Sequence, residues 1–163
     1  MTRSLMAGLA LGALLLARSA AAQEPVSIAV LPFENGGSYG QDKSVFEALE
    51  GSIQAALVTE LGRFPGARAV ERSAPRTAGT ATRLDAGAAA RIGRDAGTRY
   101  VVFGNFIDHY GRFRLNARLV DVATGEIVKV ASNDDAELQD RRELARIIRT
   151  VAADIAAGAG LKP

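Results

Sequence analysis

Four polar positions carry the most distinctive chemistry in this chain. Arg112, Arg114, Asn116 and Arg118 fall on every second residue, a spacing that sends them to one side of an extended strand. A guanidinium row forms charge-assisted, often bidentate hydrogen bonds to carboxylates and phosphates. The row is therefore a candidate interaction face for an acidic partner, lipid A phosphates or an anionic glycan. The same alternation also describes the solvated outer face of an antiparallel strand, and both readings stand.

Three other groups invite chemistry less strongly. Gly36, Gly37 and Gly40 lie between an apolar run and a helical pattern, where a phosphate loop would sit. Their G-G-x-x-G spacing matches neither G-x-G-x-x-G nor G-x-x-x-x-G-K-[ST], so they read as a plain flexible loop. His109, the one histidine, follows Asp108; a triad would need a nucleophile as well, and Ser132 lies in no G-x-S-x-G elbow. His109 is read as a turn residue. Asn133, Asp134, Asp135 and Glu137 could offer oxygens to calcium, but no twelve-residue calcium loop surrounds them. Capping of the following helix explains them more simply. No catalytic, cofactor-binding or metal-binding residue is assigned.

The elements that position these groups follow from periodicity. Val26–Leu31 is a short apolar run that reads as a buried strand ended by Pro32. Val45, Leu49, Ile53, Leu57 and Leu61 recur every fourth residue, predicting an amphipathic helix over 42–62. Ala67–Glu71 can form a second strand. Residues 72–84 hold almost no large apolar side chain and are broken by Pro75 and Gly79, so a mobile loop is expected there. Asp85 is a good N-cap for an alanine-rich helix over 86–96, closed by Gly97.

Arg99–Ile107 is apolar on both faces, as a central strand would be. His109-Tyr110-Gly111 turns the chain into Arg112–Asp121, where Phe113, Leu115, Ala117 and Leu119 alternate with the polar row. Ala123-Thr124-Gly125 makes a second, bulged turn, and Glu126–Ser132 returns. Leu144, Ile147, Ile148, Val151 and Ile155 place a last helix over about 137–157. The order β-α-β-α-β-β-β-α describes a single α/β domain with a mixed β-sheet.

The ends and composition bound the setting. Arg3 precedes an uncharged apolar run of 13 residues, Leu5–Ala17, and Ala20-Ala21-Ala22 follows. This is the secretory signal pattern. As a helix the run rises about 20 Å, short of the roughly 30 Å hydrocarbon core. Residues 1–22 are thus expected to be cleaved after Ala22, leaving 23–163 as one exported domain. Losing Arg3 and Arg18 leaves 18 basic against 18 acidic residues, which argues against nucleic acid as a partner. With no cysteine, the chain has no disulfide, thiolate site or cysteine-linked lipid anchor. No later segment is apolar enough to span a membrane.

Three stretches, in order, carry a family resemblance. Ile28–Asn35 (IAVLPFEN) resembles the opening strand of TolB amino-terminal-like domains and of the curli secretion (CsgG-like) family. Gly97–Phe106 (GTRYVVFGNF) is similar to their central strand. Leu115–Val128 (LNARLVDVATGEIV) resembles their hairpin, found also in FlgO-like flagellar proteins. The resemblance implies a TolB amino-terminal-like fold and a periplasmic module that works by protein contact, and no catalytic residue comes with it. Curli channel subunits are lipoproteins that insert long membrane hairpins. This chain has neither the cysteine nor the spare length.

The expectation is a non-enzymatic protein-interaction module of a bacterial envelope assembly, curli-secretion-like or of a related outer-membrane or flagellar system. It would be periplasmic and peripheral to the outer membrane, with envelope proteins or a second copy of itself as partner. The alternative is a small-ligand, glycan or anion-binding domain using residues 72–83 and the arginine row. A hydrolase is disfavoured for want of a nucleophile–base pair.

Overall fold

The computed structural model describes residues 24–40, 42–74, 84–133, 136–138 and 141–163. The expected signal segment 1–22, most of the 72–84 loop, and Asp134 and Asp135 lie outside the described residues.

The described elements are β1 (Val26–Asn35), α1 (Lys43–Leu61), β2 (Ala67–Glu71), α2 (Ala86–Asp95), β3 (Tyr100–His109), β4 (Arg112–Asp121), β5 (Ile127–Ser132), β6 (Ala136–Glu137) and α3 (Arg141–Gly158). They build one mixed sheet in the order β2-β1-β3-β4-β5, with β6 beside β4. β1 runs parallel to β2 and β3. The pairs β3–β4, β4–β5 and β4–β6 are antiparallel. The expected α/β architecture is present, with β6 added to the expected order.

One face of the sheet is fully covered. Ile28, Val30, Phe33, Val102 and Phe106 form a buried cluster there with Phe113, Leu115 and Leu119 of β4. Ile53, Leu57 and Leu61 of α1 and Ile147, Val151 and Ile155 of α3 pack onto them. The Phe106 and Phe113 rings stack at 5.8 Å between centroids. These are the inward residues of the β4 alternation, so that pattern reported the covered face correctly.

The other face is covered only in part, because α2 is short. Ten helical residues rise about 15 Å, whereas the ten residues of β3 run about 33 Å. The helix lies close to the sheet: Ala89, Ala90 and Gly93 are buried, and a Cβ at Gly93 would overlap the Val122 side chain. Asp85 caps it as expected, its carboxylate accepting from the Ala88 N–H at 2.7 Å. Together they bury Ala29, Leu31, Val101, Phe103, Val120 and Val122. The half of this face nearer the β3–β4 turn receives no helix among the described residues.

Three boundaries differ from the sequence reading. β1 does not end at Pro32; a bulge between Val30 and Phe33 absorbs the proline, and Phe33–Asn35 go on to pair with Gly104–Phe106. The Val30 carbonyl beside the bulge accepts from the Arg72 N–H at 2.9 Å and from Gln54 Nε2 at 2.8 Å. β3 runs two residues beyond Ile107, held by pairing with Arg112 and Phe113. α3 starts at Arg141 rather than near 137, because Ala136 and Glu137 are taken up as β6 beside Phe113 and Arg112.

Both hairpins are closed by backbone that suits glycine. Tyr110 and Gly111 have φ of 52° and 88°, the double positive φ of a two-residue I′ turn. At the second turn Gly125 takes φ 74°, and the β4–β5 register shifts between Leu119 and Val120, as expected for a bulged hairpin.

Candidate functional site

The glycine segment is pinned rather than flexible. Asn35 Oδ1 accepts from the Gly37 N–H at 3.0 Å and the Ser38 N–H at 2.8 Å. The Gly36 N–H donates to the Phe106 carbonyl, and the Tyr39 N–H to the Asp108 carbonyl, both at 2.8 Å. Four consecutive amide donors are therefore committed internally. A phosphate cradle needs such donors free, so the segment serves as an extra rung along β3.

The structure separates Asp108, His109 and Ser132. Asp108 and His109 are neighbours on one strand and point to opposite faces. Asp108 is fully buried and its Oδ1 accepts from the Gly111 N–H at 2.7 Å, bracing the turn. His109 is exposed, with Nε2 3.3 Å from the Gly37 carbonyl and its ring 5.5 Å from that of Tyr39. Ser132 pairs with Asn116, four residues along β4 from the partner of His109, about 13 Å away. His109 is the last residue of β3, paired with Arg112, and the turn itself is made by Tyr110 and Gly111 alone.

The expected capping role of Asn133 and Glu137 does not hold. Asn133 Oδ1 accepts from the Leu115 N–H at 2.6 Å, and its Nδ2 donates to the Phe113 carbonyl at 3.0 Å. The side chain thus fills the gap in the β4 ladder between β5 and β6. Glu137 stands beside Arg112 in β6. Among the described residues, no group of three His, Cys, Asp or Glu side chains could hold a metal ion.

The polar row of β4 occupies the open half-face, and β3 supplies a second row beside it. Register pairs Phe103 with Arg118, Asn105 with Asn116, Ile107 with Arg114 and His109 with Arg112. Arg118 lies over the Phe103 ring, 5.8 Å from its centroid. Asn116 Nδ2 reaches Asn105 Oδ1 at 3.5 Å. A groove of roughly 930 Å³ runs over Phe103, Asn105, Ile107 and Arg118, walled by Asn35 and Leu84. A smaller pocket of roughly 260 Å³ sits among Ile107, His109, Arg112 and Arg114. Arg112 and Arg114 are exposed; Asn116 and Arg118 are half-buried.

Sequence reasoning found the β4 row and missed its β3 companions, because β3 reads as apolar on both faces. It allowed for pairing through an exposed sheet edge without identifying the strand that forms it. β5 is the last strand on its side, and it leaves Ile127, Val128 and Val130 exposed by 44%, 45% and 58%.

No protein-family profile matches the chain, and neither does any curated protein. Solved structures do resemble it. The PelC dodecamer from Paraburkholderia phytofirmans superposes with a TM-score of 0.54 at 15% identity, over 86% of this chain and 91% of PelC. TolB from Acinetobacter baumannii superposes with a TM-score of 0.53 at 19% identity, over 83% of this chain and 29% of TolB. The TolB-like fold expected from the sequence is thus the fold of these neighbours. The likenesses to curli-secretion and flagellar proteins rest on sequence stretches alone. Among the described residues, no helix is long and apolar enough to cross a membrane.

Proposed function

We propose that this chain is a non-catalytic interaction module of the bacterial envelope, exported by its amino-terminal segment, that assembles with copies of itself through the β5 edge. The observation that carries this reading is the exposed row Ile127, Val128 and Val130 on an edge strand. Such an edge offers unpaired backbone groups and apolar side chains together, a template for strand pairing.

Magnitudes limit what one edge can do. Burying a branched aliphatic side chain fully is worth about 1.5–3 kcal/mol. Half-exposed residues have about half of that left, so three contribute roughly 2–4 kcal/mol. Micromolar association needs about 8 kcal/mol. Backbone pairing and a second contact per subunit must supply the rest, which favours a closed assembly over an isolated edge-to-edge dimer. The PelC neighbour is a dodecamer, and a cyclic assembly is the reading we adopt for this chain.

A cysteine-free chain makes a clean test. Val130→Cys treated with a short bis-maleimide is expected to yield covalent multimers, whereas Arg91→Cys on exposed α2 surface is not. Equal crosslinking at both positions would reject β5 as the interface.

A further inference from the structure

We propose that the cleft between the end of α1 and the middle of α3 binds a short aliphatic carboxylate. This inference concerns the helical side of the molecule and does not depend on assembly through β5.

The cleft follows from the sizes of the residues around it. Glu60, Arg63 and Phe64 border it from α1 and the turn that follows, Arg149 and Ala152 from α3, and Pro163 closes one side. Phe64 is half-buried and packs against the main core cluster. Its backbone is fixed: the N–H donates to the Leu61 carbonyl at 3.2 Å, and the carbonyl accepts from the Ala67 N–H at 3.0 Å. Ala152 is buried, and its side chain ends at Cβ, so α3 leaves the space beside Phe64 unfilled. The result is a cleft of roughly 350 Å³. Small-molecule sites span about 300–1,000 Å³ and often lie between packed helices.

Charge at the rim selects the ligand class. Arg63 Nη1 lies 3.0 Å from Glu60 Oε2, so these two neutralise each other. Arg149 is one helical turn from Ala152, on the same side of α3. Among the described residues it makes no hydrogen bond or ion pair, whereas the neighbouring Arg146 is paired with Glu143. The rim thus offers one uncommitted guanidinium beside an apolar floor of Phe64, Ala152 and Pro163. A single guanidinium fork satisfies a single planar carboxylate, and the floor suits a saturated chain. A phosphate monoester carries about −1.5 to −2 charge and would meet one cation here with Glu60 close by.

Calorimetric titration of the full chain would compare acetate, butanoate, hexanoate and octanoate with hexan-1-ol. Affinity is expected to rise about fourfold for each added methylene until the cleft is full. Hexanoate should bind about tenfold more tightly than hexan-1-ol, through the charge-assisted hydrogen bonds. Arg149 is exposed, so Arg149→Gln leaves the core alone. It should bring hexanoate down to the affinity of the alcohol and leave the alcohol unchanged. Arg91→Gln, the same charge change on exposed α2 surface, should alter neither.

Val130→Lys on the β5 edge should keep the hexanoate affinity, which separates this site from the assembly surface. Its loss there would place the ligand on the β5 row and overturn the proposal. So would an absence of octanoate binding, an affinity that does not rise with chain length, or an Arg149→Gln chain that holds hexanoate as tightly as the unaltered one.

Discussion

His109 and Arg112 face each other as the last register pair before the β3–β4 turn. Only Tyr110 and Gly111 separate them, and both take positive φ. That relationship fixes every other pair in the hairpin, because each step back along β3 is one step forward along β4. It sets Asn105 against Asn116 and Phe103 against Arg118, and so creates the two-row surface.

The turn is built at a cost. Tyr110 has φ 52° and is 83% exposed, a conformation in which a bulky side chain is strained. Tyr110→Asn should stabilise the protein by about 0.5–1 kcal/mol, measured by urea denaturation, since Asn tolerates the left-handed region. Unchanged or lower stability would mean that contacts of the Tyr110 ring outweigh the strain.

Gly104 sits on β3 between its register partners Phe33 of β1 and Ala117 of β4. A Cβ there would overlap the Asn116 carbonyl and crowd Phe33 Cε1, backbone on one side and a fully buried ring on the other. Gly104→Ala should cost about 3 kcal/mol or more, at the upper end of overpacking effects. A loss below about 1 kcal/mol would contradict the placement of β3 between β1 and β4.

Asn133 replaces a missing strand residue. Removing its amide in Asn133→Ala leaves the Leu115 N–H and the Phe113 carbonyl without these partners. The expected cost is about 2 kcal/mol, with faster hydrogen exchange at the Leu115 amide. Retained protection there would show that the side chain does not complete the ladder.

Much of this arrangement was legible before any coordinates. The alternation over Arg112–Asp121 matched β4 residue for residue, and Asp85 was identified as a cap. Three features escaped for physical reasons. Pro32 reads as a strand end, yet a bulge lets the strand pass it. Asn133 and Glu137 read as caps, yet the ladder of β4 had open positions that claimed them first. Ile107 reads as core because strand composition does not say how far a covering helix reaches. That limit lies in the ten-residue length of α2, a tertiary consequence of two lengths visible separately in the sequence.

The exposed row on β5 carries the central claim, and the mass in solution tests it most directly. Light scattering on the full chain over a range of concentrations should give a discrete mass several times that of one copy. Val130→Lys, which sets a charge in the row, should reduce it to a single copy while the circular dichroism spectrum is kept. A single-copy mass for the unaltered chain at every concentration, or an assembly that survives Val130→Lys, would contradict the account.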